Sequence, residues 1–463
     1  MKKLLCIALC LALLSGCAAP AAPTTEPQAN EVQITLSDSG IEFPADSGIE
    51  TTKEDIHTVV RITRPGTYRV SGSITAGQLA VDLGEDAAKD PNATVLLILD
   101  NAEIICRTGP AVLFRNVWES GVPNGLAGAH VLLTQGSKNR VVGVSTEEYD
   151  GAFYSRMSMK LDGAGSLRIE CGNEGLCSER HLTIDGGDIS ISSGNDGINA
   201  NADGESVITI NDGRLWIGVA GETVEGDGID SNGSVVINGG HIEAYACADS
   251  MDSGIDADLG IFLNGGTVIA TGNMLDRIED GGQTYAVFSF AERQKAPYFT
   301  LKDMYASTVL EGQTPCAFTN LLFSCPELSE GTYTLWSGET QYEGVTSVGG
   351  GGFAQLQPID RPEFPGKGDD GRVEIPPQPT QPIVTHGTPQ PPAEGDRPAD
   401  LPVPPMPPEG AENMPVPELP EGATPPKEAF DRQPVEGITG VLSTEFAVKE
   451  GGNYFTNVRA VEK

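Results

Sequence analysis

The sequence predicts an all-β chain whose main domain is a parallel β-helix, a solenoid of short strands, with a disordered proline-rich segment near the C-terminus. Three observations carry this expectation. The tripeptides 185-DGG-187, 211-NDG-213, 238-NGG-240 and 264-NGG-266 begin 26, 27 and 26 residues apart, and 162-DGA-164 begins 23 residues before the first. Aligning on them stacks apolar residues into columns: Leu182/Ile184, Ile208/Ile210, Val235/Ile237 and Ile261/Leu263 before the turn, and Ile189/Ile191, Leu215/Ile217, Ile242/Ala244 and Val268/Ala270 after it. Helical periodicity is scarce from residue 55 to 345, where glycine is abundant and Val, Ile and Leu alternate. One such copy cannot bury its apolar face alone, whereas stacked copies share a continuous core. A β-sandwich or jelly roll also alternates strands and turns, but it does not predict columns at near-constant spacing.

The elements follow in chain order. Residues 1–17 read as a lipoprotein signal: Lys2 and Lys3, the apolar run 4-LLCIALCLALL-14, then the lipobox 14-LSGC-17, in which Cys17 is the lipidation site. Residues 18–54 form a small, polar, proline-bearing tether and an N-terminal strand region. Residues 55–345 are the β-helix domain, with 59-VVRITRPGTYRVSGSI-74, 79-LAVDL-83, 94-TVLLILDNAEI-104 and 131-VLLTQGSKNRVV-142 as less regular early rungs. Residues 346–440 hold most of the 33 prolines, in runs such as 402-PVPPMPP-408, and cannot bury enough apolar surface to offset chain entropy. Residues 441–463 alternate again and read as strand that rejoins the main domain. These features place the protein on the extracellular face of a bacterial membrane, held by its N-terminal lipid, as a monomer.

With 65 acidic against 29 basic residues the net charge is −36, which disfavours nucleic acid and anionic membranes and favours divalent cations. Cys171 with Cys177 and Cys316 with Cys325 are candidate pairs whose connectivity the sequence leaves open.

The second half of each repeat carries the chemistry. In 195-NDGINAN-201, 226-GDGIDSN-232 and 252-DSGIDAD-258 one apolar column, Ile198, Ile229 and Ile255, alternates with oxygen columns: Asp196 and Asp227, with Asp252 in the third copy; Asn199, Asp230 and Asp256; Asn201, Asn232 and Asp258. We place these at the third corner of the coil, with Gly197, Gly228 and Gly254 supplying backbone freedom. Side chains on adjacent rungs lie about 5 Å apart, so stacked carboxylates repel unless a cation stands between them. Calcium, which takes 6–8 oxygen ligands, is the expected cofactor. The competing reading is a turn ladder of Asn and Asp without metal. The column Asp185, Asn211, Asn238 and Asn264 reads as such a ladder. Residues 173-NEGLCSE-179 keep Glu174 but put Cys177 where later copies have Asn or Asp.

A second constellation lies at the outward parity of two strands: Arg214, Trp216, His241, Glu243 and Tyr245. Aromatic rings beside hydrogen-bonding and charged groups suit a sugar chain. The alternative is that another segment, such as the C-terminal strand, covers them.

The blocks 63-TRPGTYRVSGSITAGQLAVDLGE-85, 94-TVLLILDNAEIICRTGPAVLF-114, the repeats, and 318-FTNLLFSCPELSEGTYTLWSG-338 resemble the bacterial secreted carbohydrate-binding domain proteins with a pectate-lyase-like right-handed parallel β-helix. That resemblance implies calcium near Asp196 and Asp227 and a plant cell-wall polysaccharide ligand, cellulose or pectin/polygalacturonate, without established catalytic residues. The rival function is a calcium-dependent pectate lyase with Arg214 or Arg180 as base. A structural or adhesion surface protein is the third. The galacturonase series NTD, DD, HG and RIK is absent from the repeat region, as is a G-x-S-x-G nucleophile signature.

Overall fold

The structure, a computed structural model, describes residues 31–54, 57–220, 226–295, 298–347 and 441–461. The expectations for the signal sequence, Cys17 and the proline-rich segment lie outside the described residues. The described chain is all-β, with a single 3-10 turn at Ala87–Lys89 among the described residues.

Three ladders of parallel strands organise it. The first runs through Val95–Ile105, Ala129–Leu133, Met159–Gly163, Leu182–Ile184, Val207–Ile210, Ser234–Ile237 and Gly260–Leu263. The second runs through Lys138–Gly143, Ser166–Cys171, Asp188–Ser193, Arg214–Val219, His241–Tyr245 and Thr267–Gly272. The third runs from His57–Ile62 and Gly77–Asp82 through Val112–Asn116, Gly151–Ser155 and Glu174–Ser178 to Ile198–Ala200, Ile229–Ser231 and Ile255–Ala257. Each repeat thus gives one strand to each ladder and pairs with the repeats on either side.

The apolar columns aligned in the sequence are the register of these ladders. Leu182, Ile208, Val235 and Ile261 are successive Cα partners, as are Ile189, Leu215, Ile242 and Val268. All eight are buried in one continuous core. At about 1.5–3 kcal/mol for each fully buried Ile or Leu, the columns fix the register, because a one-residue slip would turn every one of them outward. The DGG/NGG turns end on Gly187, Gly213, Gly240 and Gly266, all in the left-handed region that favours glycine. Beside them a side-chain ladder runs outside the core: Asn211 Nδ2 donates to Asp185 Oδ1 at 2.7 Å, Asn238 Nδ2 to Asn211 Oδ1 at 2.8 Å, and Asn264 Nδ2 to Asn238 Oδ1 at 2.8 Å.

Parallel stacking stops at Gly272, well before residue 345, which corrects the expectation of one kind of β domain throughout 55–345. Thr267–Gly272 pairs antiparallel with Phe318–Ser324, and Tyr285–Gln294 lies antiparallel to Phe318–Ser324 and parallel to Gly452–Ala460. Tyr298–Asp303, Thr308–Gln313, Gly331–Ser337 and Phe446–Val448 continue an antiparallel sheet. The physical reason is visible in the side chains. The 26–27-residue spacing of the turn glycines ends at 266, and aromatic residues take over, with Phe288, Phe299, Phe318, Phe323, Phe446 and Phe455 forming a separate core. This module covers the edge of the last second-ladder strand, which would otherwise present unpaired backbone groups.

Cys171 and Cys177 are not joined to each other, nor are Cys316 and Cys325, so neither candidate disulfide forms. Cys316 and Cys325 flank the strand Phe318–Ser324 at opposite ends, and an extended strand of that length separates them by roughly 20 Å, far beyond disulfide reach.

Candidate functional site

Of the oxygen-bearing residues of the repeats, Asn199, Asp230 and Asp256 lie on the third ladder, whereas Asp196, Asp227, Asp252, Asn201, Asn232 and Asp258 lie in the connecting segments that flank it. Asn199, Asp230 and Asp256 are the central residues of three-residue strands and successive Cα partners. Ile198, Ile229 and Ile255 on the same strands point into the core. The preceding glycines have no left-handed φ among those the structure records, so conformational freedom does not explain them. Space does: a Cβ on Gly197 would meet Ile217 Cγ2 at 2.1 Å and the Gly228 carbonyl oxygen at 2.6 Å.

The outward column reads Tyr154, Cys177, Asn199, Asp230, Asp256 from rung to rung. A second column precedes the glycines: Glu174, Asp196, Asp227 and Ser253, stacked through Gly175 N–H to Asp196 O, Gly197 N–H to Asp227 O and Gly228 N–H to Ser253 O. Between the columns Asp227, Asp230 and Asp256 bring carboxylate oxygens within 4.8 Å of one another. Asp252 joins them electrostatically and accepts the Gly226 N–H. The Asp227 N–H donates to Asp196 Oδ1 at 2.8 Å, and Asp227 Oδ1 in turn accepts the Ser253 N–H at 2.6 Å. Asn199 Nδ2 donates to Glu174 Oε1 at 2.9 Å and Asp196 Oδ2 at 3.1 Å.

Burial and mutual repulsion dominate the electrostatics. Burial, then Asp256, Asp196, Asp252 and Asp230, hold the Asp227 carboxyl well above the usual carboxylate range. Burial and then the charges of Asp196 and Asp256 push Asp230 up to about 8. Glu174 is pushed up to about 7, by burial first and by Asp196 and Asp150. Two like charges 4 Å apart repel by about 4 kcal/mol at an effective dielectric of 20, so this group is costly at neutral pH without a compensating cation.

Two further atoms bear on a metal. Glu174 Oε2 and Asn199 Oδ1 are buried and accept no hydrogen bond, on residues only 6% exposed. Buried acceptors are ordinarily satisfied, and an unpaired one costs about 1–3 kcal/mol. The donor set is all oxygen, carboxylate and amide, which suits a hard cation such as calcium and not a thiolate- or imidazole-seeking metal. Asp196, Asp227, Asp230, Asp252, Asp256 and Asn199 therefore form one group, to which the structure adds Glu174, noted in the sequence but not assigned there as a ligand. Its signal was the retained acid in 173-NEGLCSE-179. Asn201, Asn232 and Asp258 leave the strands on the far side: Asn232 Nδ2 donates to Asn201 O at 2.9 Å and Asp203 Oδ1 at 3.0 Å, Asn201 Nδ2 to Cys177 Sγ at 3.5 Å, and Asp258 is exposed.

On the second ladder Arg214 is opposite His241 and Trp216 opposite Glu243, with Tyr245 two residues on. Their parity is outward, yet Tyr245 is fully buried in the aromatic core and Trp216 packs against it, which corrects their expected exposure. The antiparallel module, unseen in the repeat pattern, covers them. Tyr245 Oη donates to Glu243 Oε2 at 2.6 Å, and His241 Nε2 lies 2.8 Å from Glu243 Oε1. Burial works to raise the Glu243 carboxyl, but these hydrogen bonds outweigh it and hold the group below its usual range. Arg214 is exposed and His241 partly so. Arg180, two residues beyond the third-ladder strand Glu174–Ser178, is paired with Glu205 at 3.1 Å.

A family model described as carbohydrate-binding domain-containing protein matches residues 56–290, which include every site residue named above. A carbohydrate-binding domain-containing protein of Acetivibrio thermocellus is 27% identical over 133 residues, 28% of this chain and 44% of that protein. The chain thus spans less than half the length of that relative. A solved structure of a polysaccharide lyase-like protein from C. thermocellum, a gadolinium derivative, aligns over 54% of this chain and 92% of its own at 20% identity, with a TM-score of 0.38.

Proposed function

We propose, from the premise that the chain belongs to the carbohydrate-binding domain-containing protein family, that it binds plant cell-wall polysaccharide, cellulose or pectin/polygalacturonate, through a calcium-stabilised right-handed parallel β-helix, without catalysis. In this reading Cys17 carries the lipid that holds the protein on the outer face of the bacterial membrane, and the protein acts as a monomer.

The observation that carries the calcium part is the half-buried acidic group: Asp227, Asp230 and Asp256 within 4.8 Å of one another, flanked by the unsatisfied oxygens of Glu174 and Asn199. Calcium there would neutralise the acids and offer a coordination position to a sugar carboxylate or hydroxyl. Asp196, Asp227, Asp230, Asp256, Asn199 and Glu174 are the residues that would hold it. The half-exposed Arg214, His241 and edge of Trp216 supply a polar and aromatic contact for the polymer.

Binding is favoured over lyase chemistry by the placement of the cations. A lyase needs a basic residue against the metal-bound uronate, but Arg214 stands on the second ladder and Arg180 is engaged by Glu205. The test is a pull-down of the full protein on insoluble cellulose and on polygalacturonate, with calcium and with chelator, with unsaturated uronide read in the same tubes. Retention that chelator weakens, without product, is the expected result. Product accumulation identifies a lyase, and no retention on any polysaccharide leaves a structural surface protein.

A further inference from the structure

The antiparallel sheet of Tyr298–Asp303, Thr308–Gln313 and Gly331–Ser337 lies beyond residue 290, where the family match ends. One face of it is given to the aromatic core, with Phe299, Leu301, Leu310, Tyr333 and Leu335 buried there. Alternation along the strands puts Tyr298, Thr300, Lys302, Thr334 and Trp336 on the opposite face. Thr300 is the Cα partner of Trp336, and Lys302 of Thr334. Tyr298 stands two residues along from Thr300, next to Gly338, whose added Cβ would come 3.9 Å from the Tyr298 hydroxyl. The two rings are therefore diagonal neighbours across paired strands, a spacing of roughly 7–8 Å.

The rings are held in place although they build no core. Trp336 Nε1 donates to Thr334 Oγ1 at 2.8 Å, and Lys302 Nζ lies 5.2 Å from the centre of the indole ring. Tyr298 is 37% exposed. Thr300, buried between the rings, donates from Oγ1 to Glu311 Oε2 at 2.7 Å. An indole held on a sheet, with a half-exposed tyrosine on the neighbouring strand, costs little entropy to dock against and offers apolar area to the C–H faces of sugar rings. The cation decides which sugar. An anionic polymer meets a chain of net charge −36, and Lys302 gives it a local ammonium with donors over the indole ring, two residues along from Thr300 and its Glu311 partner.

We propose that this face is a second glycan contact, specific for a uronic-acid polysaccharide, in which Trp336 and Tyr298 stack on sugar rings and Lys302 pairs with a sugar carboxylate. The inference rests on the polysaccharide-binding reading above but uses a different module from the acidic group. The test is retention of the full-length protein on polygalacturonate gel and on cellulose, in calcium, comparing the parent with W336A, K302E and the acidic-group variant D230N/D256N. We expect W336A and K302E each to weaken polygalacturonate retention about tenfold with melting temperature unchanged, and the residual binding of D230N/D256N to be lost on adding W336A. Parent-like retention of both W336A and K302E overturns the proposal while leaving the first reading intact. So does W336A weakening cellulose and polygalacturonate alike with K302E inert, since that assigns the face to a neutral glucan. If the parent is retained on neither polymer, both readings fall together.

Discussion

Asp230 is the residue at which the calcium reading and its rival part company. Without a cation, a buried carboxyl pushed up to about 8 resists ionisation in the folded state, whereas in the unfolded chain it ionises near 4. The folded state then binds more protons than the unfolded one between these values, so metal-free stability falls as pH rises from about 4 to 8. Calcium-loaded protein lacks that fall. Thermal melts in chelator should therefore drop by about 5 °C or more between pH 5 and pH 8, and calcium should restore the loss. Asp230→Asn should melt higher than the parent in chelator at pH 8 and gain nothing from calcium. A turn ladder without metal predicts melts indifferent to calcium in both proteins. Tyr245 belongs to another class. Fully buried, it should cost about 3–5 kcal/mol as Tyr245→Ala, so lost glycan retention in that variant reports unfolding. Arg214→Ala is the clean probe of the second-ladder face, with weaker retention and an unchanged melt as the expected outcome.

At the scale of an element, the rungs are secured by devices outside the core as well as by the apolar columns. Asn238 accepts from Asn264 and donates to Asn211, so Asn238→Ala removes two side-chain hydrogen bonds from the middle of the ladder. The expected cost is about 1–2 kcal/mol in chemical denaturation, since each such bond contributes about 0.5–1.5 kcal/mol. Gly197→Ala acts differently, by driving a methyl into Ile217 and the Gly228 carbonyl. It should destabilise by about 1–3 kcal/mol and also weaken calcium binding, because it displaces the strand that carries Asn199. The same close approach explains why Asp230 and Asp256 sit on strands. With no Cβ before Ile198, Ile229 and Ile255, the chain comes near enough to the neighbouring rung to pair at once, and the next side chain is already outward.

Across the whole molecule, the parallel stack is closed at one end by chain from two distant stretches. The strand Gly452–Ala460 lies beside Tyr285–Gln294, Tyr285 Oη and Tyr454 Oη are 2.6 Å apart, and Phe446, Phe455 and Val458 complete the aromatic core. Gly344 and Ser443 exchange a pair of backbone hydrogen bonds, so the long proline-rich insertion leaves and returns at one point. Truncation at residue 440 should therefore expose Phe288 and Phe323 and give a protein that binds a hydrophobic dye and is cut rapidly by protease after residue 272. A nick confined to the insertion should leave the melt unchanged, since both strand ends stay docked.

The sequence by itself determined the all-β class, the repeat length, the inward columns and the grouping of acids, because each depends on a local period that every rung repeats. Aligning DGG and NGG turns yields the observed register, and Asp230 and Asp256 meet because each stands eight residues before the next NGG turn, with Asp227 three residues before Asp230. Tertiary structure alone decided what repetition does not encode. Glu174 enters the acidic group through an amide on the next rung, despite Cys177 in its own copy. Tyr245 has outward parity but is buried, because the aromatic module that covers it comes from residues 285–346 and 446–460, which follow no repeat. Parity is set by the strand a residue belongs to, and exposure by whatever folds onto that strand from elsewhere in the chain.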